Sequence, residues 1–270
     1  MDVIHDISDL PPYVGGAFVP TMGALHAGHQ SLIHEAVASG RPALVSIFVN
    51  PTQFAPHEDF DAYPSTLEHD LDMARAAGVA AVFVPSVEAI YPTDASTPSV
   101  PLPAVATEPG LEDTHRPHFF AGVCGVVARL LDLTMPSMSY FGEKDWQQLR
   151  VIDAMVRANA DRWASLRVIG VPTVREHGGI AMSSRNVYLS PEDRTRALAI
   201  SRALEAARGL GRAAAELVMQ ETLHDSELAI DYAVVRDAMT LGPPQQDRPT
   251  RALIAASIGH IRLIDNCDVG

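Results

Sequence analysis

Apolar residues fall along the chain in short unbroken runs separated by segments of helical spacing. Ala17-Phe18-Val19 and Ala43 to Val49 lack the every-other-residue alternation of a half-exposed sheet, so both read as strands buried on two faces. Between them, Gln30 to Ala38 spaces Leu32, Ile33, Ala36 and Val37 as one helix face. Ser65 and Glu68 form an S-x-x-E capping box for a helix running to Ala77 and closed by Gly78, and Val79 to Val84 follows as a third strand. This order predicts right-handed crossovers and an α/β chain with a doubly wound parallel sheet.

The stretch from Pro85 to Pro117 is rich in Pro, Thr and Ser, with only Val100 to Val105 reading as extended, and so long an irregular connection points to function. Phe119 to Leu133 has helical spacing, with Gly122 and Gly125 expected to allow close approach on one face. Ser139 to Phe141 and Leu166 to Gly170 are the fourth and fifth strands, and between them Asp145 is placed to cap a helix to Ala158. VPTVREHGGIAMSSRNVYLS reads as a hinge around Gly178 and Gly179, before a helix capped by Ser190 with Pro191 at its first position. Two Ala-rich helices and strands at Ala229 to Val235 and Ala252 to Ile258 complete a small α+β domain. With 270 residues, a large and a small domain are expected, divided as 1–173 and 174–270.

Composition narrows the function classes. Apolar residues make up 47% of the chain, which argues for a globular core, yet no run reaches the roughly 18 residues needed to span a bilayer. The opening MDVIHDISDL lacks a signal-peptide pattern, so a cytosolic protein is expected, with no membrane partner. A formal charge of −13 weighs against nucleic acid and favours small molecules. Cys124 and Cys267 are too far apart for a metal knuckle and are expected in or near the core. Lys144 is the only lysine among the 20 basic residues, which hints at a local need for a compact point charge.

The candidate chemistry gathers at PTMGALHAGH, Pro20 to His29. A strand, a glycine-containing turn and a helix start make an anion site, because the first helical N–H groups lack partners and carry partial positive charge. His26 and His29, one helical turn apart, can both face it, and Gly23 and Gly28 are expected to let a ligand approach the backbone. The bland alternative is a pair of packing or surface histidines. The H-x-x-H spacing is not that of a zinc helix, and metal ligands stay unassigned. Strand ends also carry Asn50, Gln53 and Tyr63 in one loop and Lys144, Asp145 and Gln148 in another, while Ser183, Ser184 and Arg185 suit phosphate oxygens. Jointly these groups are equipment for stabilising charge during attack on the α-phosphorus of ATP.

TMGALHAGH, NPTQF, DAYP, FGEKDWQQL, PTVRE, MSSRN and RLIDN, in order over nearly the whole chain, resemble the pantothenate synthetase (pantoate–β-alanine ligase) family. That family is a nucleotidylyltransferase related to class I aminoacyl-tRNA synthetases. The resemblance implies a Rossmann-like N-terminal domain, a smaller C-terminal domain closing over the site, and a homodimer. It implies two steps: pantoate and ATP with Mg²⁺ give pantoyl adenylate and pyrophosphate, and β-alanine then displaces AMP. It assigns ATP contact to Met22, Gly23, Ala24, Leu25, His26, Ala27, Gly28 and His29, with His29 as proton donor. Gly142, Glu143, Lys144, Asp145, Val174, Met182, Ser183, Ser184 and Arg185 complete that site. His26, His29, Lys144 and Arg185 are the expected catalytic groups, Gln148 contacts pantoate, and Gln53 contacts both pantoate and β-alanine. The chain departs from the pattern in a shorter N-terminus, whose opening helix is expected to be trimmed or absent, and in RPHFF at Arg116 to Phe120, which shifts a histidine to His118. Ala27, Trp146 and the residues before RLIDN also differ. The competing readings are another small-molecule nucleotidylyltransferase and a non-catalytic nucleotide sensor.

Overall fold

Phe18 points to one side of its strand and Ala17 and Val19 to the other, and all three are fully buried, which explains the missing alternation. In the computed structural model, which describes residues 1–54, 60, 63–64, 66–93 and 100–270, the first part of the chain runs β1 (Asp2–Ile4), β2 (Ala17–Thr21), α1 (Ala27–Ala38), β3 (Ala43–Ile47), α2 (Leu67–Ala76) and β4 (Ala81–Phe83). It continues through short helices α3 (Val87–Ile90) and α4 (Glu112–His115) to α5 (Phe119–Thr134), β5 (Met138–Gly142), α6 (Trp146–Ala158) and β6 (Arg167–Val171). Six parallel strands line up as β1-β4-β3-β2-β5-β6. The order reverses between β2 and β5, so the crevice at their carboxyl ends is where such a sheet binds ligands.

Both sheet faces are covered. Phe18, Leu44 and Phe83 pack with α5 and α6 through Val127, Leu131 and Ile152, and Val19, Val45 and Val82 pack with α1 and α2 through Ile33, Ala36 and Ala74. Each large side chain buried in this way contributes about 1.5–3 kcal/mol. Gly122 lets α5 approach closely, because a Cβ there would lie 2.4 Å from the Thr52 carbonyl oxygen; Gly125 has nothing within 4 Å and needs no such explanation.

Two helices, α7 (Pro191–Ala207) and α8 (Arg212–His224), precede an antiparallel sheet of β7 (Ala229–Asp237), β8 (Thr250–Ile258) and β9 (Ile261–Asp268), in that order. Strand β8 is apolar on both faces: Leu253 and Ala255 join the core beneath α5 and α6, while Ala252, Ile254 and Ala256 pack with α7 and α8. Gly259, with φ +57°, sits in the turn to β9. Cys124 and Cys267 are free and buried, and among the described residues no helix is long and apolar enough to cross a membrane.

Several expectations need correction. Val100 to Val105 is not a strand; Pro101 and Pro103 interrupt it and Ala104–Ala106 forms a 3-10 turn. The absent opening helix, by contrast, is as expected: strand β1 and 3-10 turns at Ile7–Asp9 and Pro11–Tyr13 precede β2, with no α-helix. Ser65 and the Asp61-Ala62 half of DAYP lie outside the described residues, and α2 is preceded by Thr66, whose side chain makes no capping bond. Asp145 occupies the cap position of α6 without a side-chain capping bond. Gly178 and Gly179, the expected hinge, sit in a turn closed by hydrogen bonds: Glu176 N–H donates to the Ile180 carbonyl (2.8 Å) and Met182 N–H to that of Val174 (2.9 Å).

Candidate active site

After β2 the chain reverses through Gly23 (φ +84°) and Ala24 (φ +49°) into α1. A non-glycine residue at positive φ costs roughly 1–3 kcal/mol and persists only when its surroundings hold it. Asp70 of α2 does so. Its buried carboxylate accepts from the N–H of Ala24 (2.9 Å) and of Leu25 (2.8 Å) and from the Thr66 hydroxyl (3.1 Å). A Cβ on Gly23 would lie 3.1 Å from that carboxylate, so this glycine makes room for Asp70 in the turn. The sequence reading missed Asp70, although Leu67, Asp70, Leu71 and Ala74 share one face of a helix and mark it as inward.

The turn delivers His26 and His29 as a reciprocal cap of α1. His26 Nδ1 accepts from Gly28 N–H (3.1 Å), His29 Nδ1 accepts from His26 N–H (3.4 Å), and the rings stack with centroids 4.1 Å apart. Gly28 is required because a Cβ would stand 2.8 Å from the His26 ring. Burial, then the neighbouring charge of Lys144, lowers the His26 pKa, and burial, then His26 and Lys144, lowers that of His29 to about 3. Both rings are therefore neutral at physiological pH. With each Nδ1 accepting, each proton resides on Nε2, and the pair offers two N–H donors.

The same shift sets a pH dependence of stability. Below pH about 6.5 the unfolded chain protonates His29 and the folded chain does not, so folding stability falls as pH drops toward about 3. Replacing His29 with Asn removes that component. The variant's melting temperature is expected to decline less than the parent's between pH 7 and 5, as scanning calorimetry would read; parallel declines would exclude a depressed His29.

A cleft of about 910 Å³ opens at the ends of β2 and β5, at the upper end of small-molecule sites. Met22, His26, Gly28 and His29 form one wall, and Gly142, Lys144 and Asp145, at and just beyond the end of β5, form another. Lys144 Nζ stands 3.6 Å from the Asp145 carboxylate. Val174 and Met182 to Arg185 form a third wall, where the Ser183 hydroxyl accepts from Arg185 N–H (3.3 Å) and the Ser184 hydroxyl lies 3.5 Å from that of Tyr63. Gln53 and Gln148 also line the cleft. Gln53 Nε2 rests on the Met22 sulfur (2.8 Å) and its Oε1 accepts from Asn50 (3.1 Å); the Gln148 side chain has no hydrogen-bond partner among the described residues.

Other expected contacts are not on the wall. Leu25 is in the core, Ala27 is exposed, Gly23 and Ala24 form the turn behind the site, and the Glu143 carboxylate pairs with Arg251 (3.3 Å). Asn50 is buried, holding Gln53, Gly122 and Tyr91 together. His118 is exposed before α5, whereas His115 and Arg116 reach the cleft. The second sheet supplies groups the sequence reading left out. Arg262 makes a double hydrogen bond to Glu112 (2.8 and 2.7 Å), which also accepts from Tyr232 (2.8 Å), and Asp265 holds Arg175 at 2.6 and 3.0 Å. The visible signal was RLIDN itself, whose charged residues interrupt an apolar run.

Comparison with known proteins gives a single answer. The family model described as pantoate-beta-alanine ligase matches residues 13–268. A pantothenate synthetase of Bradyrhizobium sp. strain BTAi1 is 48% identical over 263 residues, covering 94% of this chain and 90% of the relative. The crystal structure of pantothenate synthetase from Thermus thermophilus superimposes with a TM-score of 0.91 at 41% identity, covering 100% of this chain and 99% of that one. A Francisella tularensis pantoate-beta-alanine ligase, solved with beta-gamma ATP and beta-alanine, superimposes with a TM-score of 0.80 at 32% identity, covering 99% and 97% of the two chains.

Proposed function

The chain belongs to the pantoate–β-alanine ligase family, and from that premise we propose how its cleft carries out the ATP-dependent condensation of (R)-pantoate with β-alanine. In the first step a pantoate carboxylate oxygen attacks the α-phosphorus of ATP, the bond from that phosphorus to the bridging oxygen breaks, and pyrophosphate leaves. In the second the β-alanine amine attacks the acyl carbon of pantoyl adenylate and loses a proton, and AMP departs with the former carboxylate oxygen. Adenylation is needed because a free carboxylate is a poor acceptor for an amine.

The observation that carries this reading is the neutral His26–His29 pair, each with Nδ1 occupied by a backbone N–H, beside the cation of Lys144 in one cleft. Preorganised donors of this kind stabilise the charge that grows on phosphate oxygens without reorganising at the moment of reaction. ATP contacts Met22, His26, Gly28, His29, Gly142, Lys144, Asp145, Val174 and Met182 to Arg185, with the serines and Arg185 on phosphate oxygens, while Gly23, Ala24, Leu25, Ala27 and Glu143 shape the two turns that present these groups. Gln53 and Gln148 hold pantoate, and Gln53 also holds β-alanine; the soft contact of Gln53 with the Met22 sulfur is readily exchanged for a carboxylate. Residues 1–173 bind nucleotide and pantoate, and 174–270 cover them.

Among the described residues no three His, Cys, Asp or Glu side chains stand together as metal ligands. Mg²⁺ accompanying ATP would neutralise phosphate charge, in keeping with its preference for substrate oxygen and retained water. The family resemblance further supports a homodimer, which sedimentation would refute by finding only a 29.0 kDa species.

Isotope exchange tests the function directly. Labelled pyrophosphate is expected to enter ATP when pantoate is present and β-alanine is absent. Exchange driven by a phosphate ester in place of pantoate, or ATP binding with no exchange, would reject the reading.

A further inference from the structure

The loop that carries Lys144 leaves the large sheet at Gly142, the last residue of β5 paired to β6, so the sheet ladder does not hold the lysine or its neighbours. The fixing group comes from the other sheet. The buried Asn266 side chain of β9 donates from Nδ2 to the carbonyl oxygens of Glu143 (2.9 Å) and Lys144 (2.8 Å), using both of its protons. Its Oδ1 accepts from Arg251 Nε (2.5 Å) of β8. Arg251 in turn pairs with the Glu143 carboxylate and lies over the Trp146 ring, 3.5 Å from its centroid. Both Asn266 amide protons hold the two peptide units that flank the lysine, and the amide oxygen is fixed by Arg251.

We propose that Asn266, oriented by Arg251, is the positioning residue for Lys144, so that adenylate formation depends on β9 gripping the lysine loop. The inference rests on the reading of Lys144 given above and adds how that charge is placed. A small displacement of a charge-stabilising group costs rate more than binding; a shift of about 1 Å is worth about 100-fold. Asn266 lines the cleft, but its amide is engaged by protein groups, so it acts through the backbone of another residue.

Because Lys144 is the only lysine in the chain, lysine labelled with ¹³C at Cε reports it alone. The resonance is expected to move on adding ATP to the parent protein, and in Asn266→Ala to start from a different position and broaden. Pantoate-dependent pyrophosphate exchange at saturating ATP is expected to fall about 10- to 100-fold, with KM for pantoate within about two-fold. In a double-mutant cycle, Asn266→Ala is expected to cost nothing further once Lys144→Ala is present, because contacts that act through one residue are non-additive. Asn266→Ser, which keeps one donor, should fall between, and serves if the alanine variant does not fold. An unmoved lysine resonance, unchanged exchange in both variants, or a loss that multiplies with Lys144→Ala would overturn the inference. If Lys144→Ala alone left exchange intact, the reading of Lys144 would fail first, and the two failures are thereby distinguished.

Discussion

Replacing Lys144 with alanine is expected to slow pantoyl-adenylate formation by roughly 100- to 1,000-fold while leaving pantoate affinity within a few-fold. Lys144 lines the cleft with 19% of its side chain exposed, so its charge acts in a medium poorer in water than the surface. Among the described residues its paired carboxylate, Asp145, is 3.6 Å away and leaves the ammonium's other donors available. In the ground state this cation adds to phosphate binding, but its larger effect falls where negative charge accumulates on the departing pyrophosphate. Rapid quenching of a single turnover, with chromatography of the adenylate, measures the chemical step, and calorimetry measures pantoate binding. Parent-like adenylation would remove Lys144 from the chemistry.

The second large effect is expected at a residue that touches no substrate. Asp70→Ala leaves the N–H groups of Ala24 and Leu25 without their acceptor in a buried turn. Each unsatisfied group costs about 1–3 kcal/mol, so the unfolding midpoint should drop by roughly 6–15 °C. The positive φ of Ala24 then loses what holds it, and the helix start carrying His26 and His29 moves with it. Exchange activity is expected to fall with stability, and Asp70→Asn, whose amide keeps a single acceptor oxygen, should recover part of both. A melting temperature within a degree or two of the parent would show that the turn stands without Asp70.

The strands at Phe18 and Val45 were legible because helices cover both sheet faces, and that leaves an apolar run in the sequence. The histidine turn was legible for a similar reason, since a strand, glycines and a helix start occur in order with no intervening tract. Strand β9 was not, because Asp265 and Asn266 are polar yet buried, and their partners lie 90 and about 122 positions away in the chain. Val100 to Val105 misled in the opposite sense, apolar enough for a strand but broken by prolines. Asp70 sits on the inward face of its helix by spacing, but only the fold shows that the histidine turn closes over it. What fills the place of a Cβ at Gly28 is the imidazole two residues earlier, a contact that spacing alone does not reveal.

Strand β8 has no face left for water, and this restricts how products can leave. Swinging the small sheet outward would wet Tyr232, Leu253 and Ala255 at about 25 cal/mol for each Å² uncovered, whereas sliding it sideways along that greasy seam would wet almost nothing.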